Sequence, residues 1–171
     1  LDPGTDGDGR MQLELVAMRH ARFLEEFEIA NRGFFAERVG DRGDDYFARF
    51  EERLAALVDE NDVGRSLLFV IVDNFGRILG RVNITDIDQP DLTELGFRVA
   101  EADQGRGVAT YGVSAALEAA RECGVDKVLA RVAEDNLGSR RVLARVGFTE
   151  TGRAESPVGS DARFLGFEIT L

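Results

Sequence analysis

The chain has 171 residues, of which 32 are acidic and 21 basic, for a net charge of −11. This length suits one domain, spanning 1–171, with a full hydrophobic core, and 44% hydrophobic with 31% charged residues is the balance of a folded soluble protein. The acidity argues against broad nucleic-acid binding, no run approaches the roughly 20 apolar residues of a membrane span, and one Cys with one His excludes an internal disulfide and argues against a zinc site.

Residues 1–10 are Gly/Asp-rich and carry neither a charged n-region nor an apolar h-region, so they read as a flexible tail rather than a secretory signal, and a cytoplasmic location is expected. Met11–Val16 alternates weakly, as a short strand does. From Arg19 to Ala30, Phe23, Leu24, Phe27 and Ala30 recur at helical spacing. A second helix is predicted with Asp44 as its cap and Phe47, Phe50, Leu54, Leu57 and Val58 as its apolar stripe. Ser66–Asp73 is a nearly continuous apolar run of strand length, Asn74-Phe75-Gly76 is a turn, and Arg77–Thr85 is the return strand of a hairpin. After a polar turn through Pro90, Leu92–Ala100 reads as a strand whose internal Gly96 marks a bulge or a close backbone approach.

Arg106–Cys123 is a helix with Ala109, Val113, Ala116, Leu117 and Ala120 on one face and Gly124 as its C-terminal cap, and Cys123 extends the apolar face. Lys127–Ala133 is a strand, and Leu137–Val146 a short helix ended by Gly147. Phe148–Gly152 and Phe164–Leu171 are the last two strands. The alternation of helices and strands around a central hairpin predicts an α/β mixed sheet covered by helices. His20, far from the glycine-rich segment, reads as structural, and Phe23, Phe27, Phe34, Phe47 and Phe50 read mainly as core.

Charge is unevenly spread. Residues 98–153 hold 8 acids and 9 bases and form the only segment that is not strongly acidic, so a polyanion would bind there. Within it, Gln104-Gly105-Arg106-Gly107-Val108-Ala109-Thr110 opens the third predicted helix. Two glycines around Arg106 let main-chain amides turn toward one point, and the helix start adds unpaired amides and a positive dipole end, which together suit a phosphate. A Walker A loop is excluded because Gly107 is followed by Val108-Ala109. A dinucleotide fingerprint fails at Thr110, where it needs Gly. On the loop alone, a helix start with flexible glycines is an equal reading.

The neighbouring segments carry more. Gln104-Gly105-Arg106-Gly107-Val108-Ala109 resembles the acyl-CoA pyrophosphate loop of the GNAT N-acetyltransferases, with Gln104, Gly107 and Ala109 at its defined positions. Glu94-Leu95-Gly96-Phe97-Arg98-Val99 resembles the family's central strand, and Ala130–Asn136 its next strand, ending in an Asn. Asn136-Leu137-Gly138-Ser139 followed by Gly147-Phe148 matches N-x-x-S…GF. These four motifs fall in order over about 55 residues. Within the family the chain is most similar to the RimJ/RimL group, which includes ribosomal-protein N-terminal acetyltransferases. Asn31-Arg32-Gly33-Phe34-Phe35 and Ile78-Leu79-Gly80-Arg81 carry that likeness.

The resemblance implies a mostly antiparallel twisted sheet of six or seven strands with a splayed central pair and helices on both faces. It implies acetyl-CoA as cosubstrate, no metal, and a primary amine as acceptor: a protein N-terminus, or alternatively a small amine such as a polyamine, amino acid or aminoglycoside. A non-catalytic acyl-CoA-binding module and a homodimer are compatible with it. Backbone amides around Phe97, Arg98 and Val99 would steady the oxyanion. Gln104, Gly105, Arg106, Gly107, Val108, Ala109, Thr110, Asn136, Ser139 and Arg140 would hold the cofactor, with Arg141 beside them. Glu94 would deprotonate the amine, directly or through water, and Ser139 would donate to the departing sulfur. The tyrosine many relatives use as acid is replaced by Leu143. Glu94 with Asp86, Asp88 and Asp91 forms an acidic turn, either a solubilising edge or an attractor for a cationic acceptor.

Overall fold

A computed structural model describes residues 10–171. Apart from Arg10, the predicted tail lies outside the described residues. A seven-stranded sheet runs in the order β1-β2-β3-β4-β5-β7-β6. Its strands are β1 (Gln12–Leu15), β2 (Leu67–Val72), β3 (Ile78–Thr85), β4 (Glu94–Val99), β5 (Lys127–Ala133), β6 (Thr149–Ala154) and β7 (Phe164–Thr170). Every neighbouring pair is antiparallel except β4–β5, which is parallel. The predicted mixed sheet with helices on both faces is the architecture observed.

The helices are α1 (Ala21–Ala30), α2 (Arg32–Val39), α3 (Asp44–Ala48), α4 (Phe50–Asp62), α5 (Val108–Glu122) and α6 (Leu137–Val146). The apolar run of β2 is explained by burial on both faces. Leu68, Val70 and Val72 pack with Leu24, Phe27, Phe50 and Leu54 of α1 and α4. Phe69 and Ile71 face the opposite core, built on Val113, Ala116, Leu117 and Ala120 of α5 and Leu143 of α6.

Several sequence expectations are corrected. The single helix capped by Asp44 is two, α3 and α4, broken at Arg49, and the residue before α3 is Gly43 at φ 81°, with Asp44 already inside the helix. Arg32–Val39, predicted only as a family-like stretch, is a helix of its own. Gly96 makes no bulge: β3 and β4 stay in register from Gly80↔Val99 to Thr85↔Glu94, and a Cβ at Gly96 would meet open space. Cys123 is exposed rather than on the apolar face, and so is Phe23.

The irregularity lies on the other side of β4. Its pairing with β5 is confined to Glu94↔Leu129 and Leu95↔Ala130, after which the two strands diverge. Ala100 donates its amide to Leu79 O of β3 at 2.9 Å. By the two-residue alternation of a strand, Arg98 sends its amide the same way while Phe97 and Val99 aim theirs into the opening toward β5.

Candidate active site

The turn leaving β4 is anchored before it reaches the glycines. Asp103, almost wholly buried, receives hydrogen bonds from Arg77 at 2.9 and 3.1 Å and from Arg106 at 2.8 Å. Gln104 donates its side-chain amide to Val99 O at 2.8 Å, tying the turn to the end of β4. Gly105 and Gly107 then adopt φ values of 72° and 77°, a left-handed conformation that costs other residues about 1–2 kcal/mol each. Gly107 is the N-cap of α5 and no side chain caps it. The first amides of α5, at Val108, Ala109 and Thr110, therefore have no intrahelical acceptor and face a cleft of about 310 Å³. An uncapped helix start behind two left-handed glycines is a phosphate cradle made of backbone.

The same cleft is lined by Phe97 and Val99 of β4, by Phe34 and Arg38 of α2, and by Asn136, Ser139, Val142 and Arg145 of α6. Asn136 caps α6, its Oδ1 accepting the Ser139 amide at 3.1 Å. The Ser139 hydroxyl is half-buried, borders both this cleft and the next cavity, and has no protein partner among the described residues.

Where β4 and β5 part, a second cavity of about 220 Å³ opens, lined by Gly96–Arg98, Ala130–Ala133, Arg81, Asn83 and Ser139. A third, of about 210 Å³, continues under α1, α3 and α4 and shares Arg81 and Asn83 with it. Beside this passage Glu28, on α1 and only 1% exposed, pairs with Arg81 at 2.7 Å, Arg98 at 3.4 Å and Arg42 at 3.7 Å. Burial, reinforced by the like charges of Arg42 and Arg81, pushes the Arg98 guanidinium down to about 10.

Several predicted residues stand elsewhere than expected. Arg98 lines the cleft, but its side chain is committed to Glu28 and the Phe35 ring, and its amide is turned toward β3. Arg140 lies on the outer side of α6, donating to Glu134 O at 2.9 Å and pairing with Glu150 at 3.6 Å. Helical spacing explains this: Gly138, Val142 and Arg145 share the cleft face, while Leu137, Arg141 and Ala144 face away. Arg106 is held by Asp103 and is absent from the cleft lining. Glu94 is not a free carboxylate: both oxygens accept from Arg131, at 3.0 to 3.2 Å, and it borders neither cavity. Asp86, Asp88 and Asp91 are exposed on the β3–β4 connection and line none of the three cavities.

The sequence reading missed Glu28, Arg38, Arg42, Asn83 and Arg145. Glu28 was detectable: it falls four residues after Leu24, on the buried stripe of α1, where a carboxylate requires partners. Among the described residues no group of three His, Cys, Asp or Glu side chains is placed to hold a metal ion. No described helix is long and apolar enough to cross a membrane.

Residues 17–149 match the acetyltransferase (GNAT) domain. The chain belongs to that family. It is 29% identical over 140 residues to the probable N-acetyltransferase YjcK of Bacillus subtilis (strain 168), covering 75% of this chain and 74% of that protein. Mycobacterium smegmatis RimJ, solved in complex with CoA-disulfide, superposes with a TM-score of 0.83 at 27% identity, covering 95% of this chain and 82% of that one. The ribosomal-protein-S5-alanine acetyltransferase of Vibrio fischeri superposes at 0.86, with 22% identity over 94% of this chain and 92% of its own, a likeness of fold. The glycine-turn cleft shares Phe97, Asn136 and Ser139 with the seam cavity, which in turn shares Arg81 and Asn83 with the arginine-lined passage.

Proposed function

We propose that this GNAT domain transfers the acetyl group of acetyl-CoA to an α-amine, in a complex holding both substrates. Three adjoining cavities support this reading: a backbone phosphate cradle, an opening between β4 and β5, and an acceptor passage beyond. Acetyl-CoA fits the donor set. Left-handed Gly105 and Gly107 leave room for a diphosphate on the uncapped amides of α5, and Arg38 and Arg145 stand beside it. Bound there, it supplies an activated acetyl thioester.

The protein's own groups then have separate tasks. The Phe97 and Val99 amides facing the seam are donors for a carbonyl oxygen that gains negative charge. However, Gln104 already takes the Val99 carbonyl, so the strand end is fixed before substrate arrives. Ser139, with its hydroxyl unpaired beside the seam, is the proton donor for a departing thiolate. Asn136 holds the first turn of α6, and so Ser139, in place.

Proton removal from the amine takes a different route from the one predicted through Glu94. Among the described residues no carboxylate or imidazole lines the seam or the acceptor passage. An α-amine has a pKa of about 8, against about 10.4 for an alkylamine such as a lysine side chain. Near neutrality about a tenth of an α-amine is already neutral, and arginine-lined walls lower its proton affinity further. The absence of a base among the described residues lining the seam and the passage thus favours an α-amine over a polyamine.

Thiol release from acetyl-CoA against dipeptide amides and polyamines tests this. Glu94→Gln should cost less than about 5-fold in kcat/KM and leave the pH profile unmoved, whereas Ser139→Ala should lower kcat by about 10²-fold. A loss of 10²-fold for Glu94→Gln returns the base to that carboxylate. Preference for polyamines refutes the α-amine assignment.

A further inference from the structure

The acceptor end of these cavities is positively charged although the whole chain carries −11. Arg38, Arg81, Arg98 and Arg131 line the seam cavity, Arg42, Arg53 and Arg81 line the passage beyond it, and among the described residues no acidic side chain lines either. Arg53 and Arg131 are matched by Asp45 and Glu94. Arg42, Arg81 and Arg98 are not matched, since three guanidiniums share the single carboxylate of Glu28 and leave a local formal charge of +2.

Two unsatisfied atoms lie beside it. Arg81 is 5% exposed at its side chain, gives one nitrogen to Glu28, and leaves its Nε–H without an acceptor. Asn83, two residues along β3 and on the same face, leaves its Oδ1 without a donor. Both residues line both cavities. A buried donor and a buried acceptor without partners each carry a desolvation penalty that a bound ligand removes. Residues i and i+2 of a strand stand about 6.6 Å apart. The ligand that satisfies the pair offers an N–H to Asn83 and an anionic oxygen to Arg81 at about that separation.

We propose that the acceptor carries an anionic group, a carboxylate in the simplest case, a few bonds from the amine that is acetylated, and that Arg42, Arg81 and Arg98 recognise it. This rests on the acetyl-transfer reading and narrows its substrate class. Cationic acceptors are excluded by the same charge that admits anionic ones.

The test uses the full chain and three peptide amides that share an N-terminal Ala: Ala-Asp-Glu, Ala-Gln-Gln and Ala-Lys-Lys. Spermidine and free alanine complete the panel. Initial rates of CoA release give kcat/KM for each, and calorimetry on CoA-saturated protein gives their affinities. The anionic peptide should exceed the neutral one by at least 10-fold and the cationic peptide by more. The advantage should shrink as salt rises. Free alanine outperforming Ala-Asp-Glu assigns the anion to the α-carboxylate, and the reverse order assigns it to a side chain. Arg42→Gln, at a partly exposed position, should narrow the anionic-to-neutral ratio severalfold while CoA affinity reports that the variant is folded. Equal or better use of Ala-Lys-Lys or spermidine overturns the inference. In the absence of turnover, equal or tighter binding of the cationic probes overturns it, as does the absence of binding by every probe. Failure of CoA itself to bind refutes the acetyl-transfer reading, and the inference falls with it.

Discussion

Glu28→Gln is the most informative perturbation of the fold. The carboxylate is 1% exposed, and its nearest partner, Arg81, is 5% exposed and 2.7 Å away. The amide keeps the shape and one acceptor oxygen but removes the negative charge that three guanidiniums share. Breaking a buried ion pair by removing one partner costs about 3–5 kcal/mol, because the remaining charge is stranded away from water. Arg98 and Arg42 retain some access to solvent, so the lower part of that range, about 3 kcal/mol, is expected. In a chain of this size 1 kcal/mol corresponds to roughly 2–4 °C in Tm. Urea denaturation followed by circular dichroism, with a thermal melt beside it, should show a loss of about 3 kcal/mol and roughly 6–12 °C. A loss below about 1 kcal/mol would refute the description of Glu28 as the counter-charge of a desolvated arginine group. Glu28→Gln, Arg81→Met should be more stable than Glu28→Gln alone, because the stranded charge leaves with its partner.

Three further outcomes follow from local geometry. Gly107→Val places a branched side chain at φ 77° and points its Cβ into the open cleft. CoA affinity by calorimetry should fall by at least about 100-fold while stability falls by only about 1–2 kcal/mol; unchanged affinity removes the turn from the binding site. Gly112→Ala in α5 would press a Cβ onto Ile71 Cδ1 and set it 2.9 Å from Ile71 Cγ1. The helix-propensity gain of about 1 kcal/mol is outweighed by overpacking of about 1–3 kcal/mol, so a raised melting temperature contradicts the packing described. At Asp73, burial opposes ionisation, but the amides of Arg77 and Phe75 and the Arg77 guanidinium outweigh it and hold the carboxyl below the ordinary aspartate value. Its stabilising contribution is complete above about pH 4 and is lost as pH falls through the lowered value. Asp73→Asn should therefore be less stable than the parent at pH 7 and approach it near pH 2; a constant gap across that range rejects the linkage.

Fold and cofactor end were legible in the residues for different reasons. Lys127–Ala133 and Leu137–Val146 have the observed bounds because periodicity and the Gly147 stop agree locally. The glycine turn was legible because only backbone geometry and small residues are needed there. By contrast, the acceptor end is assembled from long-range partners. Glu28 and Arg98 lie 70 residues apart in sequence, and Glu94 and Arg131 lie 37 apart. No window of sequence contains either pair, so Glu94 reads as a free base and the side chain of Arg98 carries no sign of its buried partner. Arg140 and Arg141 read as phosphate contacts by residue type, whereas the face of α6 puts Arg145 in the cleft. The break at Arg49 was hidden because Phe47, Phe50 and Leu54 keep helical spacing across it, so periodicity alone does not reveal two helices.

The brief contact between β4 and β5 makes this sheet two panels that meet at Glu94 and Leu95 and gape beyond them. Peptide groups lining the gap form an interior edge, screened from other chains by the surrounding helices but still lacking the hydrogen bonds that a complete ladder gives. A pantetheine-like arm lying there would act as a missing strand, so occupancy and rigidity become a single equilibrium. At a free concentration 100 times its Kd, such an arm adds about 2.7 kcal/mol to the resistance of the whole domain. Amide exchange at Phe97 and Val99 should slow accordingly, reporting the two panels drawn together.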